Sequence, residues 1–356
     1  MSSEDMSMKA GPDYISAYRH LNWRRSFLLF LIAASISLSF LGDIVTGPAV
    51  LSAGDLLTGI FDGSSLSRAE SVILYQIRLP DALIALAVGA ALGLAGVETQ
   101  TVLNNPLASP YTLGLSSSAA LGAAISIVFD ISIPGVAEWI SLPFFAFIGS
   151  LSAGLAILLM TAAFGGSINT AILFGIAIVF LSTALTAAIQ YVATAEATQL
   201  IVFWTIGNLT RAGWLEVGVV SAVVLLVLPF CLRDVWQLTL LKGGEEQASS
   251  LGVPVKRLRL KVILRTSLLA AVAVCFVGTI SFVGLVGPHI ARLLLGENHK
   301  YLIPGAALSG ALLLSLASIV SKSLLPGAII PVGIVTSLIG VPIFLLLVLT
   351  QKRAHL

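Results

Sequence analysis

Residues 168–192 read INTAILFGIAIVFLSTALTAAIQYV, a run of 25 residues without one charged side chain. A helix needs about 20 mostly apolar residues to cross the ~30 Å hydrocarbon core of a bilayer. Similar runs begin at Phe27, Leu83 and Val217. Backbone polar groups inside a bilayer must bond within the chain, which allows helices or a closed barrel. A barrel would alternate apolar and polar residues, so the sequence predicts an all-α polytopic membrane protein.

The composition agrees with a membrane protein. Hydrophobic residues make up 57% of the 356 positions and charged residues 10%, whereas a soluble domain has about 25% charged residues. A net charge of +2 without a basic tract gives no support for nucleic-acid binding. Cys231 and Cys275 stand alone in apolar segments, so we expect small core side chains there and no metal site.

Apolar runs and helix breakers predict about ten transmembrane helices. Their approximate ranges are 27–45, 73–103, 109–129, 140–164, 168–192, 213–233, 261–284, 287–296, 302–322 and 331–350. The eighth is too short to cross alone and is expected to be a partial helix shielded by its neighbours. The transmembrane domain then occupies residues 27–350, between a cytoplasmic N-terminal segment, 1–26, and a cytoplasmic tail, 351–356.

The distribution of basic residues predicts the orientation. With the amino terminus inside, the outer segments contain only four of the basic residues, Arg68, Arg78, Arg211 and Lys322. Because loops on the cytoplasmic side are enriched in Lys and Arg, both termini are expected to be cytoplasmic, in a multi-pass protein of the inner (plasma) membrane. The longest polar stretch, residues 233–265, then faces the cytoplasm.

Motifs for enzyme chemistry are missing from the sequence. There is no Gly-x-x-x-x-Gly-Lys-Ser/Thr loop, the usual device for holding the phosphates of ATP. There is also no Ser/His/Asp set, paired-carboxylate motif or His/Cys cluster with metal-ligand spacing. We therefore expect a chain that is not an enzyme and that binds no cofactor or metal of its own.

Two blocks of short motifs follow one another along the chain. The first contains RLP at 78–80, GAAL at 89–92, Gly96, Gln100, NPLASP at 105–110 and LG at 113–114. The second contains GE at 244–245, Ala248, LG at 251–252, SFVGL at 281–285, PH at 288–289, Arg292, Pro304, PVG at 331–333 and GVPIF at 340–344. In order and spacing these motifs resemble the importer permeases for ferric siderophores, haem and vitamin B12. The resemblance covers roughly residues 27–350.

The resemblance implies a subunit of a type II ATP-binding-cassette (ABC) importer. Such a subunit pairs with a second permease subunit, identical or different, around a central path. Two ATPase subunits on the inner side bind ATP and Mg, and a periplasmic or lipid-anchored substrate-binding protein docks outside. Within the family we favour an iron chelate such as a ferric siderophore as cargo, with haem or cobalamin as alternatives.

The loop of about 234–260 resembles the family's coupling segment, which seats short helices in a cleft of the ATPase. The acidic side chain of Glu245 can begin a helix at its positive end, Ala248 follows, Leu251 offers an apolar knob and Gly252 can end the helix. The resemblance therefore predicts ATPase coupling through Glu245, Ala248, Leu251 and Gly252. The alternative is an ordinary solvated loop.

Basic residues at the positions of Arg78 and Lys322 dock the binding protein in the family that the chain resembles. Complementary charge at a wet rim speeds encounter and fixes register. The alternative is that both side chains only anchor helices at the interface. The chain departs from the family pattern in three places: Asp81 stands where the family often has a second Arg, Ser318 and Lys322 where it often has Asp and Arg, and Ile329 where it often has Glu. The docking surface is therefore expected to be less basic than in the family, or its partner less acidic.

Polar residues inside two spans are candidates for the translocation path or its inner gate. An ionisable group such as Glu98 usually faces a cavity or a partner, although near a helix end it can instead reach water. The family-like Gln100 lies beside it, and the fifth span matches a path-lining helix of the family. In that span the candidates are Asn169, Thr170, Thr183, Thr186 and Gln190. A Thr can also bond back to its own helix, which would require no path.

Two other classes of function stay open at this point. A secondary transporter driven by an ion gradient would need buried carboxylates or broken helices at the membrane midplane, and Glu98 is the one candidate, off-centre. For a membrane-embedded enzyme or scaffold, the sequence shows no set of residues that could act as nucleophile, metal site or acid/base pair.

Overall fold

The computed structural model describes residues 12–48, 52, 54, 59, 66–134, 137–325 and 327–353. Apart from one isolated bridge, Leu325 to Ala328, the regular elements of these residues are helices. They are α1 Pro12–Val45, α2 Arg68–Val102, α3 Leu115–Val128, α4 Glu138–Ala163, α5 Ile168–Val192, α6 Ala195–Thr205, α7 Trp214–Arg233, α8 Val235–Leu241, α9 Glu245–Ser250, α10 Val255–Val277, α11 Val283–Leu295, α12 His299–Ser323 and α13 Val332–Arg353. The predicted all-α fold is confirmed.

The predicted spans appear in the predicted order. Within the described ranges, seven helices are long and apolar enough to cross a membrane: α1, α2, α4, α5, α7, α10 and α12. The apolar parts of α3, α11 and α13 are shorter. The eighth predicted span was expected to be partial, and α11 has 13 residues, about 20 Å at ~1.5 Å per residue.

Two boundaries differ from the predictions, and one helix was not predicted. Helix α1 begins at Pro12 rather than near residue 27, because Pro fits the first turn of a helix and no breaker follows it. Helix α3 begins only at Leu115, since the chain before it turns through Gly114 at φ +81°. Helix α6 was not predicted; Thr194 begins it by accepting the Ala197 N–H.

Helix α2 forms the centre of the bundle and α5 lies at its outside. In the most apolar window of α2 83% of the residues are buried, but only 11% in that of α5. Small residues let α2 approach its neighbours: a Cβ on Gly89 would collide with Gly310 O of α12, and one on Gly96 with Gly284 O of α11. The small-residue packing expected of membrane helices is therefore present.

The two ends of the bundle contain different kinds of residues. One end, here called the coupling end, contains α8, α9 and the adjoining ends of α2, α7, α10 and α12. The opposite end, called the far end, contains the start of α2 at Arg78, the end of α12 at Lys322 and the start of α7 at Trp214. The indole of Trp214 donates to Tyr75 O at 2.8 Å, which joins α7 to α2 there.

Candidate functional sites at the two ends of the bundle

Helix α9 has the local structure predicted for the coupling segment. It begins at Glu245 after Gly244, at φ +114°, and the chain leaves it through Gly252, at φ +84°. Glycine adopts such positive φ values without the steric cost that other residues meet. Ala248 is fully buried against the bundle, and Leu251 is 51% exposed. The helix and its apolar knob are confirmed, and the coupling role stays a prediction.

Arg259 fastens α9 to the bundle. This α10 side chain is fully buried, and its Nη2 lies 2.9 Å from Glu245 Oε2. Its Nη1 donates to the backbone oxygen of Gly166, in the turn between α4 and α5. One guanidinium thus joins α9, α10 and the α4–α5 turn. Glu245, predicted as a helix starter, is also one half of this ion pair.

Glu98 lies in a buried charge network. It is fully buried and binds both arms of the Arg265 fork, with Nε 3.1 Å from Oε2 and Nη2 2.7 Å from Oε1. Arg265 Nη1 also lies 2.6 Å from Asp234 Oδ2 and 2.8 Å from Phe230 O. In this conformation Glu98 therefore reaches neither water nor an open path, because both of its carboxylate oxygens bind Arg265 of α10. A path-lining role would require the pair to open.

The other polar residue at this end of α2, Gln100, also makes contacts inside the bundle. Its Nε2 donates to Leu285 O at 3.3 Å, and its Oε1 accepts from Arg292 Nη2 at 3.0 Å. Arg292 Nε lies 3.1 Å from Glu297 Oε1, which in turn lies 3.6 Å from Lys242 Nζ. The chain of contacts runs from α2 through α11 to the residue that follows α8.

His299 connects α8 to α2 and α12. The ring is fully buried, and its Nε2 lies 2.8 Å from Thr101 Oγ1 of α2. Its Nδ1 lies 3.3 Å from Thr239 Oγ1 of α8. Together with Arg259 and Arg265, His299 makes a third polar contact between the segment 234–260 and the spans.

Sequence reasoning singled out none of these three side chains for a role. For Arg265 a signal existed: it falls inside the predicted span 261–284, as Glu98 falls inside 73–103. Opposite charges buried in two spans favour a pair. For Arg259 and His299 the sequence carries no comparable signal, because each lies near a helix end where a polar residue is common.

At the far end, the two predicted docking residues are buried. Arg78 is 4% exposed and its Nη1 donates to Ile44 O and Val45 O, each at 2.8 Å. Lys322 Nζ lies 2.9 Å from Asp43 Oδ1. The end of α1 thus supplies acceptors to both cations, where the sequence predicted an exposed basic rim. Docking through them stays a prediction, and it would require these contacts to open.

The departures noted in the sequence lie in the same place. Ser318 Oγ donates to Asp43 Oδ1 at 2.9 Å, beside Lys322. Asp81, Ile329, Arg78 and Lys322 line a cavity of about 110 Å³. Arg78, Lys322, Asp43 and Asp81 are therefore a buried group of both charge signs, with Ser318 and Ile329 beside them.

The five polar candidates on α5 divide between two sides of the helix. At about 100° per residue, Asn169, Thr183, Thr186 and Gln190 fall within an arc of roughly 100°, and Thr170 lies outside it. Asn169 and Thr183 are exposed, whereas Thr186 Oγ1 bonds back to Ser182 O at 2.8 Å, the alternative considered above. Thr170 Oγ1 lies 2.7 Å from Ser167 Oγ, where it helps begin the helix.

Comparisons with known proteins indicate the family. The FecCD transport family matches residues 29–350. The hemin transport system permease protein HmuU of Yersinia pestis is 39% identical, covering 82% of this chain and 87% of its own. The molybdate import system permease protein MolB of Haemophilus influenzae is 35% identical over 92% of this chain and 94% of its own. The vitamin B12 import system permease protein BtuC of Vibrio vulnificus is 33% identical over 95% of this chain and 98% of its own.

A solved structure has the same fold. It is an ABC transporter described as of the metal-chelate type, in an inward-facing conformation, with 31% identity and a TM-score of 0.81. The match covers 91% of this chain and 99% of the other. The motifs, the fold and these relatives agree along nearly the whole length, and the chain belongs to the FecCD transport family of ABC importer permeases.

Proposed function

We propose that this permease carries an iron chelate, such as a ferric siderophore, inward across the inner (plasma) membrane, with both termini in the cytoplasm. ATP hydrolysis is performed by a separate subunit, as in other permeases of the family. One observation supports the proposal most strongly: α9 lies between two glycines, its Leu251 side chain is half exposed, and Arg259 binds the helix to α10 and to the α4–α5 turn. A short helix held in this way can take up a force and pass it on.

The proposed assembly has two ATPase subunits, which hold ATP and Mg, a second permease subunit and a substrate-binding protein. Leu251 is a suitable contact for an ATPase cleft, because an exposed apolar side chain on a short, held helix gains by being covered. The outlying helix α5, with Asn169 and Thr183 exposed, is a suitable surface for the second permease subunit and the central path. Lipid covers the remaining outer faces.

The proposed mechanism is alternating access driven by closure of the ATPase pair. A displacement of α8 and α9 would reach α10 through Arg259 and Arg265, and it would reach α2 through Glu98 and through His299. Each of these contacts is short and involves one fully buried side chain, Arg259, Glu98 or His299, so they transmit displacement better than a solvated loop would. The helices bordering the central path then rock between outward and inward openings.

The iron-chelate cargo rests on the resemblance of the motifs and on the metal-chelate type of the solved relative. Haem and cobalamin stay open, because relatives named for hemin and vitamin B12 are comparably similar. A relative named for molybdate adds an oxyanion to the cargoes worth testing. No described side chain separates these cargoes.

Transport in proteoliposomes tests the proposal. The permease is reconstituted with its ATPase and binding protein, and radiolabelled ferric siderophore, haem, cobalamin and molybdate are offered separately. We expect ATP-dependent uptake of the siderophore alone. Uptake driven by a proton or sodium gradient without ATP would favour the secondary-transporter alternative, and uptake of another cargo would replace the iron chelate.

Orientation has its own test. A cysteine introduced by Glu246→Cys, at an exposed position of α9, should resist a membrane-impermeant thiol reagent in intact cells and react after permeabilisation. The two native cysteines are buried and stay unlabelled. Labelling of the introduced cysteine from outside would put α9 on the wrong side for an ATPase and end the proposed coupling role.

A further inference from the structure

A cavity of about 510 Å³ lies at the far end, between the ends of α3 and α10 and the starts of α4 and α7, with α6 along one side. This volume is within the range of about 300–1,000 Å³ usual for small-molecule sites. Its walls are mainly apolar and include Leu142, Leu200 and Phe276. It is separate from the buried cluster around Lys322 and from α9.

Two donors at this cavity have no acceptor among the residues that the structure describes. Arg211 makes no ion pair or hydrogen bond with any residue that the structure describes, although an Arg beside a partly apolar wall normally seeks an anion. Partial removal from water lowers the pKa of Arg211 from its ordinary value. The indole Nε1 of Trp204 is buried and likewise finds no partner within the described ranges. A buried N–H without an acceptor costs free energy, so Trp204 favours a ligand with acceptor oxygens. The Arg211 side chain lines the same cavity and is exposed, so it is free to bind an anion there.

One carboxylate also lines the cavity. Glu216, in the first turn of α7, accepts the Gly213 N–H through Oε2 at 2.7 Å. It makes no ion pair with a described cation. The cavity therefore presents a guanidinium and an indole N–H for an anion together with one carboxylate for a cation. A zwitterionic ligand matches this set better than a purely anionic one, which Glu216 would repel.

The position of the cavity indicates the source of such a ligand. Its mouth is bordered by Trp139 at the start of α4 and by Leu200 of α6, both more than half exposed. Trp at the end of a spanning helix is typical of the membrane–water boundary. At that level the outside of the bundle meets lipid, so an acyl chain can lie on the apolar wall while the headgroup reaches Arg211.

We infer that this cavity binds a zwitterionic phospholipid with a primary ammonium headgroup, its phosphate at Arg211 and Trp204 and its ammonium at Glu216. The bound lipid would support α6 and hold it against the starts of α4 and α7. The inference needs only that the chain spans a membrane, so it can fail while the proposed importer function stands, and the reverse.

The test is native mass spectrometry of the purified full-length permease during titration with phosphatidylethanolamine, phosphatidylglycerol and phosphatidylcholine of the same acyl chains. Wild type should retain one phosphatidylethanolamine in preference to the other two. Arg211→Gln should weaken its binding about tenfold, since a hydrogen bond to a charged group contributes roughly a decade of affinity. Arg233→Gln is the matched control: it removes an exposed Arg at the other end of the same α7 region and should change nothing.

A second variant tests the recognition of the ammonium group. Glu216→Gln keeps an acceptor for the Gly213 N–H, because Gln serves at this cap position as Glu does. It should retain the lipid but lose the preference for phosphatidylethanolamine over phosphatidylglycerol. Equal binding by wild type and Arg211→Gln would overturn the inference, as would equal binding of the three lipids by wild type. Release of the lipid by stoichiometric ferric siderophore would reassign the cavity to cargo.

Discussion

Replacing Arg265 by Met is predicted to destabilise the permease strongly, because this one side chain satisfies two buried carboxylates. Arg265 makes four short contacts, two with Glu98 and one each with Asp234 and Phe230 O. The Glu98 side chain is 0% exposed, so Arg265→Met leaves a charge that water cannot reach. Breaking a buried pair from one side costs about 3–5 kcal/mol. At about 2 °C per kcal/mol for a large chain, the expected fall in unfolding temperature is about 6–10 °C.

The assay is thermal unfolding of the purified permease in detergent, followed for the single variants and for Glu98→Gln/Arg265→Met. The double variant removes both the cation and the deepest carboxylate, so it should unfold above Arg265→Met alone. Contacting groups of this kind couple by roughly 0.5–3 kcal/mol in double-mutant cycles. Arg233→Met is the control, since this exposed Arg makes no ion pair with a described residue, and it should shift the transition by less than ~1 °C.

Two results would refute this reasoning. If Arg265→Met unfolds within about 1 °C of wild type, the buried network does not exist in the protein. If the losses in the two single variants simply add in the double variant, Glu98 and Arg265 do not interact.

Three further predictions concern helix packing, coupling and the far end. Gly96→Ala should lower the unfolding temperature by several degrees because its Cβ collides with the backbone of α11, whereas Gly218→Ala, with open space around it, should not; equal effects would contradict the packing. Leu251→Ser should leave the unfolding temperature unchanged, because this side chain is half exposed, and should abolish ATP-driven uptake; normal uptake would remove its coupling role. Lys322→Met should destabilise by about 3–5 kcal/mol by leaving Asp43 unpaired and buried, and Asp43→Asn in the same chain should recover much of that loss; no recovery in thermal unfolding would contradict the pair.

The sequence was sufficient for the architecture because hydropathy reports directly on the bilayer. Residues 168–192 were predicted as a span and form α5 with those bounds. The same holds for local signals: Glu245 and Gly252 predicted the beginning and the end of α9. Helix α6 was not predicted, because its 11 residues are too few for a transmembrane span.

The candidate sites were predicted less well, because their geometry depends on contacts between residues far apart in the chain. Arg78 and Lys322 were predicted to share one end of the bundle, and they do. Their burial depends on the end of α1, whose acceptors at Ile44 and Asp43 have no signature in the sequence. A basic residue at a helix end has the same hydropathy whether it meets water or a buried carboxylate.

Glu98 illustrates this limit best. It was recognised as unusual because a carboxylate in a span needs a partner, yet water and an open path were considered before a second helix. The pairing of Glu98 with Arg265 was not predicted, because Arg265 is the last residue of the polar stretch 233–265, which the positive-inside pattern assigns to the cytoplasm. Helix α10 begins at Val255, so Arg265 stands about three turns inside a helix and its guanidinium turns toward α2. The same residue therefore belongs to the predicted cytoplasmic segment by charge and to the bundle by contact. Because Arg265 contacts both Asp234, just before α8, and Glu98 of α2, it is the first residue to test for coupling between α9 and the transport helices.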